Sequence, residues 1–436
     1  MIDDTADTDE TNETDDIADT GRALGRSRAG RQPLGDSTDV PGGRGVDLTT
    51  QLIHHPYQPP DSWQAVPPGV FKASTVIFPD VAALRSRTYT AKTGYTYGLR
   101  GTPTTYLLEE RLATLEGGRF CILSPSGLGS IMNVNLGLLS QGDELLLPNN
   151  VYFPSSDLAA SVLSRWGITH QFYDAMNPAD LAARLNERTK LVWLEAPGSV
   201  TMEFPDLPAL IAAARSRPGV LVALDNTWGA GLAFRAFDLA DGHGVDIVMQ
   251  ALTKYPSGGA DVLMGSVVTR DEALHQRMLK VHGQLGLGVA ANDAEFILRN
   301  LPTMALRYHA HDAAARTLAA FLGRQLRVIR VLHPALPGAP GHAHWAATCS
   351  AAAGLFSVML DAALPQAKVD AFVDALRLFK IGYSWGGPMS LVVPYDLRTM
   401  RDDRSALPGH LVRFSIGLES VADLQADLAQ ALRRLD

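Results

Sequence analysis

Val222-Ala223-Leu224-Asp225-Asn226-Thr227-Trp228-Gly229 is an apolar run that delivers an aspartate at its end. A second run, Ile247-Val248-Met249, continues as Gln250-Ala251-Leu252-Thr253-Lys254-Tyr255-Pro256-Ser257-Gly258-Gly259, so a hydroxyl residue and a lone lysine precede a glycine pair. Short apolar runs of this kind read as buried parallel strands, whose carboxyl ends face ligands. At such an edge the Lys254 amine can form an imine with an aldehyde, and Asp225 can pair with a protonated pyridine nitrogen. Each residue also has a plain structural reading, an Asp at a strand end and a Lys at the surface. The neighbouring sequence decides between the two.

Working outward, apolar runs alternate with helical patterns. Leu107, Leu108, Leu112 and Leu115 recur at helical spacing after Pro103, and Gly117-Gly118 ends that helix. Phe120-Cys121-Ile122-Leu123 reads as a strand, followed by Ser124-Pro125-Ser126-Gly127-Leu128-Gly129. A strand, a small-residue turn and a helix start make an anion site, because the free N–H groups and the helix dipole favour a phosphate. Strands are predicted at Leu145–Leu147, Leu191–Leu194, Val220–Leu224 and Asp246–Gln250, with helices at Asp157–Trp166 and Leu207–Arg215. This alternation predicts an α/β fold with a mainly parallel sheet and helices on both faces. Asp225, Lys254 and the Ser126 turn then share one edge. An imine-forming lysine and an aspartate for a pyridine nitrogen are the two protein groups that pyridoxal 5′-phosphate (PLP) chemistry needs most.

Beyond about residue 300 the texture changes. Ala-rich helical sequence from Ala313 to Leu326 leads to Val328–Leu332, a loop rich in Pro, Gly and His, then Gly354–Leu360. A helix is expected over Lys368–Phe379, and strands at Leu391–Val393 and Leu411–Phe414. This reads as a smaller α+β domain over 301–436, after a large PLP-binding domain over 101–300. Residues 46–100 carry Pro56, Pro59, Pro60, Pro67, Pro68 and Pro79, which forbid long regular elements and suit an extended arm. Residues 1–45 contain no aromatic residue and are rich in Asp, Thr, Gly and Arg, the composition of a disordered tail.

The bulk numbers narrow the function classes. A chain of 436 residues can bury a large core, and 46% hydrophobic with 19% charged residues is ordinary for a globular enzyme. A net charge of −8 leaves no basic excess to neutralise phosphates, which argues against nucleic-acid binding. No apolar run is long enough to cross a bilayer, and the acidic start lacks a signal-peptide pattern. Two cysteines, Cys121 and Cys349, fit a reducing cytoplasm. His342, His344 and Cys349 have loosely metal-like spacing but lack a fourth ligand, so no metal is expected. The glycine-rich Gly283–Gly288 stretch follows no predicted strand and is not read as a nucleotide loop.

Several blocks together resemble the PLP-dependent enzymes of cysteine and methionine metabolism, of fold type I. They are Tyr97-Gly98-Leu99-Arg100-Gly101-Thr102-Pro103-Thr104, Leu115-Glu116-Gly117-Gly118, Asp225-Asn226-Thr227-Trp228 and Thr253-Lys254-Tyr255. The resemblance runs from about Thr50 to the C-terminus. It implies that Lys254 is the imine lysine and that Asp225 holds the pyridine nitrogen protonated. Tyr152 matches the tyrosine that stacks on the ring, with a phenol able to help in proton transfer. Ser126, Gly127, Leu128 and Thr253 match phosphate-cradling positions, and Tyr97 matches a phosphate ligand that reaches across to an adjacent subunit. Arg413 matches the arginine that grips a substrate α-carboxylate, with Tyr383, Ser384 and Trp385 lining the pocket beside it.

Further blocks sharpen the expected reaction: Glu195-Ala196-Pro197-Gly198-Ser199-Val200-Thr201-Met202-Glu203, His333-Pro334-Ala335-Leu336-Pro337-Gly338, Tyr383-Ser384-Trp385-Gly386-Gly387 and Arg413-Phe414-Ser415-Ile416-Gly417-Leu418-Glu419. Their resemblance implies a carbon–sulfur β-lyase acting on cystathionine or a related thioether amino acid, in a homo-oligomer arranged as a tetramer, a dimer of dimers. γ-Synthase or γ-lyase chemistry on the same fold is the nearest alternative, and a non-catalytic PLP-binding regulator is the alternative of another class. One departure stands out. The family commonly has an arginine where this chain has Leu99, so either Arg100, which follows it, does the phosphate work or the site is one cation short.

Overall fold

The computed structural model describes residues 65, 67–89, 92, 94–239, 244–396 and 409–436. The expected tail and the first part of the proline-rich arm lie outside the described residues. From Pro103 onward the chain builds two sheets. The larger has seven strands in the order β1-β7-β6-β5-β4-β2-β3: β1 (Phe120–Ser124), β2 (Glu144–Pro148), β3 (Thr169–Tyr173), β4 (Thr189–Glu195), β5 (Leu221–Asp225), β6 (Ile247–Ala251) and β7 (Gly265–Thr269). β7 is antiparallel to both neighbours and the remaining pairs are parallel, so every strand except β7 points the same way.

Period-two alternation explains why both faces are covered. On β1, Cys121 and Leu123 join one apolar cluster with Leu108 and Leu112 of the Pro103–Glu116 helix, while Ile122 joins another with Ile131, Val134 and Leu138 of the Gly127–Leu138 helix. Helix ends follow local chemistry. Thr102 caps Pro103–Glu116 in a reciprocal pair with Thr105, and Gly117 closes it at φ +76°. Ser126 caps Gly127–Leu138 by accepting from Gly129 N at 3.0 Å.

The smaller sheet runs β10-β11-β12-β9-β8, from β8 (Val328–Leu332), β9 (Leu355–Leu360), β10 (Lys380–Ile381), β11 (Leu391–Tyr395) and β12 (His410–Ser415). Its β9 and β12 are antiparallel neighbours. Val412 and Phe414 point into a core with Phe356, Phe372 and Leu424. Arg413, between them in sequence, is placed by the same alternation on the opposite face.

Some expected elements shift. The helix expected over Asp157–Trp166 is instead Phe153–Ser161, started by Pro154 in its first turn, followed by a separate 3₁₀ turn at Leu163–Trp166. The Ala313–Leu326 helix is the last part of one 32-residue helix, Ala291–Leu322, which carries Pro302 inside it. The helix expected over Lys368–Phe379 is Gln366–Asp374. The N–H groups of Arg377, Leu378 and Phe379 turn instead to the Asp427 carboxylate. Part of the Pro/Gly/His loop is helical, at His342–Thr348.

Candidate active site

The shared strand direction carries Ser126, Glu195, Asp225 and Lys254 to the same sheet edge, each at or just beyond the carboxyl end of β1, β4, β5 or β6. Asp225 is partly buried, and its carboxylate accepts from Thr227 N at 2.9 Å and Thr227 Oγ1 at 2.5 Å. The Thr227 hydroxyl also accepts from Ala251 N at 2.9 Å, tying the Asp225 turn to the end of β6. Burial raises the Asp225 carboxyl above its ordinary range, and the Thr227 bonds and Lys254 oppose that shift.

Lys254 is reached from the other half of the chain. Its Nζ donates to Ser384 Oγ at 2.7 Å and lies 5.4 Å from the centre of the Trp385 ring. Burial and the Arg413 charge bring its amine down to about 8, against the pull of Asp225. Ser384 sits at φ +81°, an unusual conformation for a residue with a side chain. Its carbonyl faces Arg413 Nη2 at 3.5 Å, so one strained residue touches both cations. Gly386 makes this approach possible. A Cβ there would stand 3.0 Å from Tyr255 N and 3.1 Å from Lys254 C. Arg413 is buried with its guanidinium 5.1 Å from the centre of the Tyr395 ring, and Tyr383 packs edge-on to Tyr395.

Tyr152 borders the same group. Burial and the Asp225 and Glu195 carboxylates raise its phenol above the usual range, while Arg413 acts the other way. Its backbone N–H donates to Glu195 Oε2 at 2.8 Å. The sequence alone assigns no role to Glu195, Thr227 or Tyr395. Glu195 had a readable signal, since it ends an apolar strand in register with Asp225. Thr227 and Tyr395 had none, because hydroxyl and aromatic residues near strand ends are common.

The donor set fits PLP. A partly buried carboxylate, a lysine with a lowered pKa and a twelve-residue helix opening at Ser126 offer partners for a pyridine nitrogen, an aldehyde and a phosphate. The helix start is packed against the lysine strand, where a Cβ on Gly127 would come within 2.8 Å of Ala251 Cβ. Thr253 Oγ1 is shared with the Met264 backbone at 3.4 Å. The next residue, Gly265, faces the Ser126 carbonyl, where a Cβ would meet it at 2.5 Å.

Tyr97 and Arg100 take a different place in the chain. Gly98–Arg100 form a 3₁₀ turn held by Gly98 N donating to Ser74 O at 2.9 Å, and Tyr97 beside it is exposed. The Arg100 guanidinium lies 5.2 Å from the centre of the Tyr89 ring and against Gly283, where a Cβ would come within 2.0 Å of Nη1. Leu99 faces Gly288. Gly283 and Gly288 thus form part of the bed of the Tyr97–Arg100 turn.

The model of the Cys/Met metabolism PLP-dependent enzymes matches residues 49–433. A cystathionine beta-lyase of Bordetella avium is 42% identical over 393 residues, covering 89% of this chain and 97% of its own length. One from Escherichia coli (strain K12) is 36% identical over 394 residues, covering 89% and 98%. A crystal structure of cystathionine gamma synthase from Xanthomonas oryzae pv. oryzae, in complex with cystathionine, superposes with a TM-score of 0.78 at 32% identity, covering 86% of this chain and 95% of the other.

Proposed function

The chain belongs to the Cys/Met metabolism PLP-dependent enzyme family, and from that premise we propose that it cleaves the Cβ–S bond of cystathionine, giving homocysteine, pyruvate and ammonia. The observation that carries the reading is the Lys254 Nζ–Ser384 Oγ contact of 2.7 Å. It sets the Tyr383–Gly387 block directly on the amine, with Arg413 behind it.

PLP, when bound, supplies an electron sink for the charge left when the substrate Cα loses its proton. Lys254 would hold the cofactor aldehyde, and its amine, lowered to about 8, would accept that proton at Nζ near neutral pH. Asp225 would pair with the ring nitrogen, Tyr152 would stack on the ring, and the N–H groups of Gly127 and Leu128 with Ser126 and Thr253 would hold the phosphate. Arg413 binds the α-carboxylate through its planar fork, backed by Tyr395. The substrate side chain lies along Tyr383, Ser384 and Trp385. The electron pair of the Cβ–S bond leaves with sulfur, which takes up a proton as homocysteine. The three-carbon fragment adds water and divides into pyruvate and ammonia.

The same reading includes a cytoplasmic homotetramer built as a dimer of dimers. Its support is the exposure of Tyr97, on the turn whose Arg100 packs over Tyr89 and against Gly283. Among the described residues no helix is long and apolar enough to cross a membrane. γ-Chemistry is the second reading, favoured by the likeness to the γ-synthase structure. A product assay separates the two. Cystathionine is expected to yield pyruvate, and 2-oxobutyrate as the main keto acid would replace β- with γ-cleavage. Lys254→Ala is expected to abolish turnover and the borohydride-reducible link to PLP.

A further inference from the structure

Glu116 ends the helix that leads into Gly117-Gly118 and meets the residue after Asp225. It is 2% exposed, and Asn226 is fully buried. Asn226 Nδ2 donates to Glu116 Oε2 at 2.8 Å. The two remaining oxygens, Glu116 Oε1 and Asn226 Oδ1, are both buried and both lack a hydrogen-bond partner among the described residues. Two adjacent buried acceptors without a donor are expensive. A single proton on Glu116 Oε1 satisfies both at once, by closing a ring in which the amide donates to one carboxyl oxygen and the other oxygen donates back.

We propose that Glu116 is held as a neutral carboxylic acid in a reciprocal acid–amide pair with Asn226, and that this pair positions the adjoining Asp225 and keeps its carboxylate the sole negative charge of the turn. The charged and titratable surroundings agree. Burial raises the Glu116 carboxyl to about 8, against the Asn226 bond and the Arg235 charge, and Asp225 pushes it further up. Cys121, on β1 nearby, is itself held as a thiol by burial. Arg235 reaches the neighbouring backbone, where a Cβ on Gly117 would stand 3.4 Å from its Nη1, yet forms no ion pair with Glu116. An ionised Glu116 would add a second anion behind Asp225, favour protonation of Asp225 and so weaken its pairing with a pyridinium. Glu116 is therefore a positioning residue, and its link to the cofactor rests on the role of Asp225 under the proposed function.

Glu116→Gln tests the proton, because glutamine reproduces the neutral ring with an amide in place of the acid. The folded acid sits above its unfolded value of 4.5, so the proton's contribution is fully present below that pH and is lost as pH rises towards 8. In the PLP-loaded full chain, the melting temperature of Glu116→Gln relative to the parent is expected to rise by at least about 2 °C between pH 5 and pH 9. PLP affinity of Glu116→Gln, measured by equilibrium dialysis at pH 7, is expected within about threefold of the parent, whereas Glu116→Leu loses about tenfold or more. A difference that stays flat or falls with pH would overturn the proposal, since it marks an ionised Glu116 served by Arg235. So would Glu116→Gln releasing PLP as readily as Glu116→Leu. Should Glu116→Leu fail to fold, the pH series of Glu116→Gln decides alone. Asp225→Asn is run beside these variants. Unchanged PLP affinity there overturns the Asp225 assignment and with it the positioning half of the proposal, and leaves the Glu116 proton to the melting series.

Discussion

Lys254 shows how two residues remote in sequence adjust a third. The amine is lowered first by burial and next by Arg413, with Asp225 pulling the other way, to about 8. A lowered amine becomes neutral, and nucleophilic, as pH rises through that value rather than through the 10.5 of an ordinary lysine. In the cofactor-free protein, reductive methylation of Lys254 by formaldehyde, followed residue by residue by mass spectrometry, is expected to reach half its maximal rate near pH 8. Arg413→Ala removes a like charge and is expected to move the midpoint upward. A midpoint at the ordinary lysine value, indifferent to Arg413, would show that the amine is not tuned by this site. Lys254, Asp225 and Ser126 were legible in the sequence because each ends an apolar run, and parallel strands leave their ends on one edge. The Glu195 anchor of Tyr152 and the Tyr395 support of Arg413 were not, because they depend on register and on which strands become neighbours.

The Tyr383–Gly387 block does as an element what no single side chain in it could do. Ser384 at φ +81° and Gly386 at φ +82° bend the backbone so that it rests on Lys254. Gly386→Ala adds a Cβ that must displace the backbone of Tyr255 or Lys254, in a conformation that costs an L-residue about 1–2 kcal/mol. The block is expected to lift, breaking the Lys254–Ser384 contact, so that kcat/KM for cystathionine falls by more than about tenfold while the melting temperature drops only a few degrees. Steady-state kinetics and a thermal melt read both quantities, and unchanged kinetics would mean that the contact has no part in turnover. Periodicity revealed most elements here, but not their limits. Pro302 inside Ala291–Leu322 hid the first half of that helix, since a proline ordinarily marks a break. Gly265–Thr269 escaped notice because it is short and runs against its neighbours, a direction that a pattern of apolar residues does not encode.

At the scale of the whole molecule the second, smaller sheet was legible in the change of texture near residue 300, but the place of Tyr97 and Arg100 was not. If they serve a neighbour's phosphate, inactive Arg100→Ala chains mixed with inactive Lys254→Ala chains are expected to regain activity, because some sites in the hybrid combine an intact arginine with an intact lysine. Hybrids that form yet stay inactive, as judged by mass spectrometry of the assemblies beside the pyruvate assay, would assign both residues to one chain's site. The Ala291–Leu322 helix bears on any such experiment. Over about 48 Å at 1.5 Å per residue it gives Ala294, Ile297, Leu298, Met304 and Tyr308 to the large core, then Ala314, Ala315, Leu318, Ala319 and Leu322 to the small one. Neither core can melt without exposing apolar surface on a rod that the other still grips. Heat should therefore meet a single cooperative unit, and damage done to the carboxylate-binding half is felt as lost thermal resistance in the half that holds the cofactor.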